Sequence, residues 1–219
     1  GKKHIIIEIH KKVLERSAAK FPERNRYDIA LHNAVSGGNI EFARLLFEWG
    51  ANANAQRSNG ETVLQNASYE GRHDMVELLL DRGAHIDAQS ESSSTALYIA
   101  SDNNDLALVR LLLDRGADVN VQNDVNGTAL NIAALQGNVG IVKLLLERGA
   151  DVNARGGYYG TALQDAAFVG SEDVVRLLVQ KGADVDAQDS ANQSALEIAL
   201  SRGYRNVVAA LESVGAQED

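Results

Sequence analysis

The segment "LLLDRGADVN" at 111–120 returns as "LLLERGADVN" at 144–153, 33 residues further on. The same step places Gly50, Gly83, Gly116, Gly149, Gly182 and Gly215 in one register. It places Leu31, Leu64, Leu97, Leu130, Leu163 and Leu196 in a second, and Ala34, Ala67, Ala100, Ala133, Ala166 and Ala199 in a third. Three registers carried through six copies leave little room for a fold in which distant parts of the chain interleave. Each copy is one supersecondary unit that cannot bury its apolar side alone, so neighbouring copies have to stack in chain order.

Each copy has the same internal grammar. "TALQDAAFVG" (161–170) opens on a hydroxyl that can cap a helix N-terminus and continues with small apolar residues. Thr62 with Gln65, Thr161 with Gln164 and Ser194 with Glu197 have the spacing of a capping box. This first helix stops at Gly38, Gly71, Gly137, Gly170 or Gly203, and in the third copy at Asn104, the next-best residue for a left-handed backbone. A second helix follows, as in "VGIVKLLLERG" (139–149), apolar on more than one side and closed again by glycine. The next stretch, "ADVNARGGYYG" (150–160), mixes small and polar residues with turn formers and predicts an extended, hairpin-like excursion.

With the 33-residue period, the "T-x-L" start, the mid-repeat glycine and "LLL-x-x-GADVN", residues 25–219 resemble the ankyrin repeat family. The resemblance implies an all-α ankyrin-repeat solenoid of six helix-turn-helix repeats with hairpin loops, at about 25–57, 58–90, 91–123, 124–156, 157–189 and 190–219. The family's proline after the threonine is replaced by Ala30, Val63, Ala96, Ala129, Ala162 and Ala195. Alanine also suits a first helical position, so the change costs little. The family's histidine survives only at His32, where the resemblance implies a hydrogen-bonding role. The "TALQ" variant resembles arrays common in large fungal proteins. Asn120 and Asn153 match the "DVN" setting in which some ankyrin repeats are hydroxylated.

Both ends read as caps. Ser17 lies 33 residues before Gly50, so "IHKKVLERSA" (9–18) aligns with a second helix, and residues 5–17 read as a degenerate N-terminal capping half-repeat within 1–24. At the other end "NVVAALESVG" (206–215) puts Ala210 and Glu212 where inner copies have leucine. Terminal repeats need a polar outer face.

Composition excludes several classes of function. Cysteine is absent, which removes disulfides, thiolate metal sites and thiol nucleophiles together. Net charge is -9, and residues 1–26 carry eight basic against three acidic side chains, or +5, leaving -14 for the remainder. An acidic body disfavours nucleic acid as a partner. No apolar run is long enough for a bilayer, and "GKKHIIIEIHKK" lacks a signal-peptide cleavage site. An intracellular monomer, cytoplasmic or nuclear, is the expectation. The N-x-S/T matches at Asn66, Asn126 and Asn192 read as by-products of the repeat.

No catalytic constellation emerges. There is no P-loop, G-x-S-x-G or H-E-x-x-H, and "SAAK" (17–20) lacks the partner motifs of a serine–lysine site. "DVNARGGYYGTA" (151–162) fails as a calcium loop because Arg155 and Ala162 fall on ligand positions. His4, His10, His32, His73 and His85 have no second ligand at metal spacing. The chain is expected to be a non-enzyme without cofactor or metal.

Function is therefore expected where stacking constrains the sequence least, on the concave side of the first helices and at the hairpin tips. Copies two and three offer Glu61, Glu70, Glu91 and Asp102, with Tyr69 beside them and Asp124 at their border. Copies four and five offer Val125, Leu135, Tyr158, Tyr159, Phe168 and Val169. The expected partner surface comprises Tyr69, Glu70, Asp102, Val125, Leu135, Tyr158, Tyr159, Phe168 and Val169. The expected partner is a protein segment with an apolar anchor and nearby basic residues, since aromatic anchors dominate interfaces while rim charges tune approach. Tyr158 and Tyr159 stand at a glycine-flanked tip. Either ring can face a partner or pack back as a staple between repeats. Trp49 reads as surface packing near the first repeat. A second reading makes the chain a regulatory or targeting arm of a larger enzyme or sensor, which a start at Gly1 suits. Small-ligand binding in the concavity is a third, with anions disfavoured by the acidic surface.

Overall fold

The computed structural model describes residues 23–92, 94–123 and 127–215. The half-repeat expected over 5–17 lies outside these residues, as do Asp124, Val125 and Asn126. The described residues form twelve helices and one short β-hairpin, in two compact units divided between His85 and Ile86.

The first unit holds α1 (Glu23–Ser36), α2 (Ile40–Glu48), α3 (Val63–Tyr69) and α4 (His73–Asp81). Here α1 packs on α2 and α3, and α4 packs on α3 and α2. The second unit begins with α5 (Ala96–Asp102), α6 (Leu106–Asp114), α7 (Ala129–Leu135) and α8 (Val139–Glu147). It continues with β1 (Arg155–Gly157), β2 (Gly160–Thr161), α9 (Ala162–Val169), α10 (Glu172–Gln180), α11 (Ala195–Arg202) and α12 (Arg205–Gly215). Within it the first helices pack in the order α5, α7, α9, α11, and the second helices in the order α6, α8, α10, α12. That is the all-α, two-layered stack the period requires.

The registers become the core. Leu31, Leu64, Leu97, Leu130 and Leu163 are buried, and Ala67, Ala100, Ala133, Ala166 and Ala199 are fully so. A methyl-sized side chain at each crossing lets successive first helices approach closely, which is how interiors reach crystal-like density. In the last copy Leu196 is only half-buried.

Helix starts follow the hydroxyl residues. Thr62, Thr95, Thr128, Thr161 and Ser194 have extended backbone, and each side chain accepts the N–H three residues on. The capping boxes of Thr62–Gln65, Thr161–Gln164 and Ser194–Glu197 all form. Asn131 completes a fourth with Thr128, a pairing outside the usual Glu/Gln rule. The mid-repeat turn takes positive φ in every copy, and Asn104 (φ 58°) does glycine's work there.

His32 departs from expectation. Its ring is buried, and among the described residues neither ring nitrogen makes a hydrogen bond, although the Ala55 backbone pulls its pKa weakly upward. The reason lies three residues upstream. Ile29 occupies the register of the capping hydroxyls, and α1 already runs through it from Glu23. The N–H groups that a cap would satisfy are inside a helix, so His32 has no start to organise. Burial, and then the nearby Arg57, hold its pKa below the usual imidazole value.

Side-chain amides tie consecutive hairpins together. Asn120 accepts from Asp151 N–H (2.8 Å) and donates to the Gly149 carbonyl (3.1 Å). Asn153 repeats the pair with Asp184 (2.8 Å) and Gly182 (3.3 Å), and Asn54 does so with His85 (2.7 Å) and Gly83 (3.0 Å). Asp87 fills this register between them and only accepts, from Asp118 N–H (3.1 Å). A second ladder runs from Gln89 to the Gln122 carbonyl (2.7 Å), from Gln122 to Arg155 (3.4 Å) and from Arg155 to Gln188 (3.2 Å).

Candidate partner-binding site

Two register lines end the first helices. One holds Tyr69, Asp102, Leu135, Phe168 and Ser201, and the next holds Glu70, Asn103, Gln136, Val169 and Arg202. In the first unit Tyr69 is 67% exposed at the end of α3, and Glu70 beside it is exposed. Trp49, in the same unit, is half-buried with Tyr27 and Phe42 at ring-centroid distances of 6.1 and 6.4 Å, as surface packing requires.

The second unit brings the aromatic residues together. β1 and β2 pair antiparallel with Arg155 opposite Thr161 and Gly157 opposite Gly160, so Tyr158 and Tyr159 form the turn. Both residues are adjacent in sequence, yet their environments differ. Tyr158 is 61% exposed, whereas Tyr159 is half-buried and stacks on Phe168 with centroids 3.6 Å apart and planes at 17°. The Arg202 guanidinium carbon lies 3.3 Å from the same Phe168 centroid. Two flat groups that close cannot share one face, so Phe168 is sandwiched between a phenol from the hairpin and a cation from α11. The stack thus joins two successive repeats. Arg202 also closes the last turn of α11, where the helix dipole favours positive charge.

A buried carboxylate sets this turn. Asp165 is fully buried in α9, and its Oδ1 accepts the Tyr159 N–H at 3.1 Å. Its Oδ2 accepts from the Asn131 amide at 3.0 Å, and Asn131 in turn accepts the Thr128 N–H and hydroxyl at 3.1 and 2.9 Å. Desolvation pushes the Asp165 pKa up to about 6, against the lowering pull of those two bonds. The backbone passes so close that only glycine fits. A Cβ on Gly157 would overlap the Asp165 carboxylate and come within 2.6 Å of Asn131 Nδ2, and one on Gly127 would meet Gly157 N at 2.6 Å.

Leu135 and Val169 are half-buried at the ends of α7 and α9. Asp102 is exposed, and its Oδ1 accepts from Gln136 Nε2 at 2.8 Å. The structure therefore places Tyr159 and Phe168 in contact, Tyr158 next to them in the turn, and Asp102 against the following repeat. Val125 lies outside the described residues. Asn120 and Asn153 have their amides engaged in the hairpin ladder.

Sequence reasoning missed Asp165 and undervalued Arg202. Both carry a signal in the period. Asp165 is a carboxylate in the register that holds Ile99, Ile132 and Ile198, and Arg202 is a cation in the register of Val169. Among the described residues no cluster of His, Asp and Glu can hold a metal ion, and no helix is long and apolar enough to cross a membrane.

Comparison with known proteins agrees with this architecture. The family described as ankyrin repeats in three copies matches residues 6–90 and 87–156, and the family described as ankyrin repeats in many copies matches 163–212. A search of curated proteins finds no match. Stacked helix pairs, hydroxyl-capped first helices, amide-linked hairpins and these matches lead to one conclusion: the chain belongs to the ankyrin repeat family.

Proposed function

We propose that the chain is a non-catalytic scaffold that binds another protein through the first-helix ends and hairpin tip of its second unit. Ankyrin repeats generally mediate protein–protein interaction. The observation that carries the proposal is Tyr158, a large ring 61% exposed on a turn whose backbone is pinned by a buried carboxylate. An aromatic side chain on a fixed backbone has little freedom left to lose, which is what makes tyrosine an effective anchor. Leu135 and Val169 extend the apolar surface, and the stacked Tyr159 and Phe168 give it a rigid floor. Asp102, exposed at the neighbouring first-helix end, is the place for a basic partner residue. In the first unit, Tyr69 and Glu70 form a separate candidate contact.

The test begins with affinity capture using the parent chain and a Leu135→Ser, Tyr158→Ser, Phe168→Ser variant of unchanged circular dichroism. Affinity for the captured protein is then measured with single variants. Tyr158→Ser and Phe168→Ser should each weaken it by at least about 1 kcal/mol, the threshold for an energetically important contact. Unchanged affinity in both would remove this surface from consideration.

A further inference from the structure

Resting on that reading, we infer that the Tyr158–Arg202 end of the surface takes a peptide segment of the partner in which an Asp or Glu stands close to an aromatic or aliphatic residue, with the carboxylate on Arg202. Acidic residues outnumber basic ones by 30 to 21 in this chain, and three arginines find carboxylates while Arg82 lies over the Phe47 ring at 5.0 Å. Arg57 pairs with Glu61 at 2.9 Å, Arg148 with Asp114 at 2.8 Å and Arg176 with Glu172 at 2.8 Å. Arg202 is exposed too, yet its contact among the described residues is the face of Phe168.

At 3.3 Å from the centroid the guanidinium has to lie flat on the ring. Stacking of this kind uses the π face of the cation and none of its five N–H donors, which lie in the guanidinium plane and point outward. The head is therefore held in place, and among the described residues no hydrogen bond or ion pair engages its fork. A carboxylate matches that fork with two parallel bonds, and the fork's fixed position reduces the ordering cost of making them. On the other face of Phe168 stacks Tyr159, whose chain neighbour Tyr158 exposes its ring at the same turn. The two contacts lie on either side of one three-group stack, so a single short segment has to supply both an apolar and an acidic side chain.

Charge decides between carboxylate and phosphate. A phosphate group carries nearly two negative charges and is usually met by several arginines. Here Arg155, in the strand of the same hairpin, already donates to the Gln188 carbonyl at 3.2 Å, and the chain as a whole is at -9. One guanidinium in that field suits a monoanion.

The experiment is selection of a displayed random heptapeptide library on the full chain and on Arg202→Glu and Tyr158→Ser variants, each of unchanged melting temperature. The parent chain should enrich peptides with Asp or Glu within two residues of an aromatic or aliphatic side chain. Arg202→Glu should exchange that acid for Lys or Arg, and should weaken the best parental peptide at least tenfold. Tyr158→Ser should lose the apolar preference. Enriched peptides that need Tyr158 but carry no acid, or keep it on Arg202→Glu, overturn the inference and leave the docking surface standing. So does tighter binding of the best peptide when phosphoserine replaces its acid. No enrichment, or the same enrichment on all three proteins, overturns the inference and the docking surface together.

Discussion

Asp165 holds the Tyr159 N–H in place, and its ionisation carries a cost. Burial raises its pKa from 3.8 to about 6, so the folded protein takes up this proton before the unfolded chain does. The group therefore contributes most to stability below pH 4, loses that contribution as pH rises from 4 to 6, and stays at its least favourable above. A shift of this size corresponds to about 3 kcal/mol at most. Asp165→Asn is neutral throughout and turns one amide toward Asn131, a cost that does not vary with pH. Urea denaturation at pH 4.5 and 7.5 should show the parent losing about 2 kcal/mol against the Asn variant over that interval. A difference that stays constant with pH would show that the carboxylate does not titrate as its burial demands. The same residue explains why the fates of the two tyrosines could not be read from "GGYYG". Which ring turns inward depends on a carboxylate in the following helix, an amide from the preceding repeat and a phenylalanine at the helix end. No local pattern contains all three.

Helices, caps and turns were legible because each is decided within a few residues. Thr161 and Gln164 meet across one turn of backbone, and Asn104 needs only its own left-handed φ. The N-terminal copy shows the limit of that logic. His32 fits the family position, but Ile29 in place of a hydroxyl turns the cap site into mid-helix and strands the imidazole. Hairpin rungs lie between these cases. The "DVN" asparagines are visible as a register, whereas their function depends on carbonyl and N–H groups of the next copy. Asp87 tests that function. Its carboxylate reproduces the accepting half of the rung and has no proton to give the Gly116 carbonyl, which is in register with Gly83, Gly149 and Gly182. Partial burial accordingly raises its pKa. Asp87→Asn supplies the missing donor and should stabilise the protein by about 1 kcal/mol at pH 7, one net hydrogen bond, as read by thermal or urea unfolding. A loss of stability would mean that the register does not carry the rung.

A stacked array distributes its stability over neighbouring copies, so its parts can open separately. The two compact units respond to acid in opposite directions through their buried titrating groups. His32 has a lowered pKa, so the unfolded chain binds its proton first and stability falls as pH drops below about 6.5. Asp165 gains over much the same range. Replacing His32 by Leu removes two buried ring nitrogens that make no hydrogen bond among the described residues, and abolishes the acid loss. Hydrogen exchange should then slow across residues 23–85 at pH 5, with a smaller change at pH 7.5 and little change across 96–215. Equal slowing in both segments would show a single cooperative unit. The amide ladders, finally, have a direction. Asn120 and Asn153 reach forward to the next hairpin, Gln89 and Gln122 do the same, and the Gln164 amide ends on the Ala187 and Gln193 carbonyls at 3.1 and 2.7 Å. On the ribosome, where the chain emerges N-terminus first, each of these donors waits in water until its successor leaves the exit tunnel. Docking of a repeat then trails its translation by one copy, and the pace of elongation sets how long each unfinished edge stays open to chaperones.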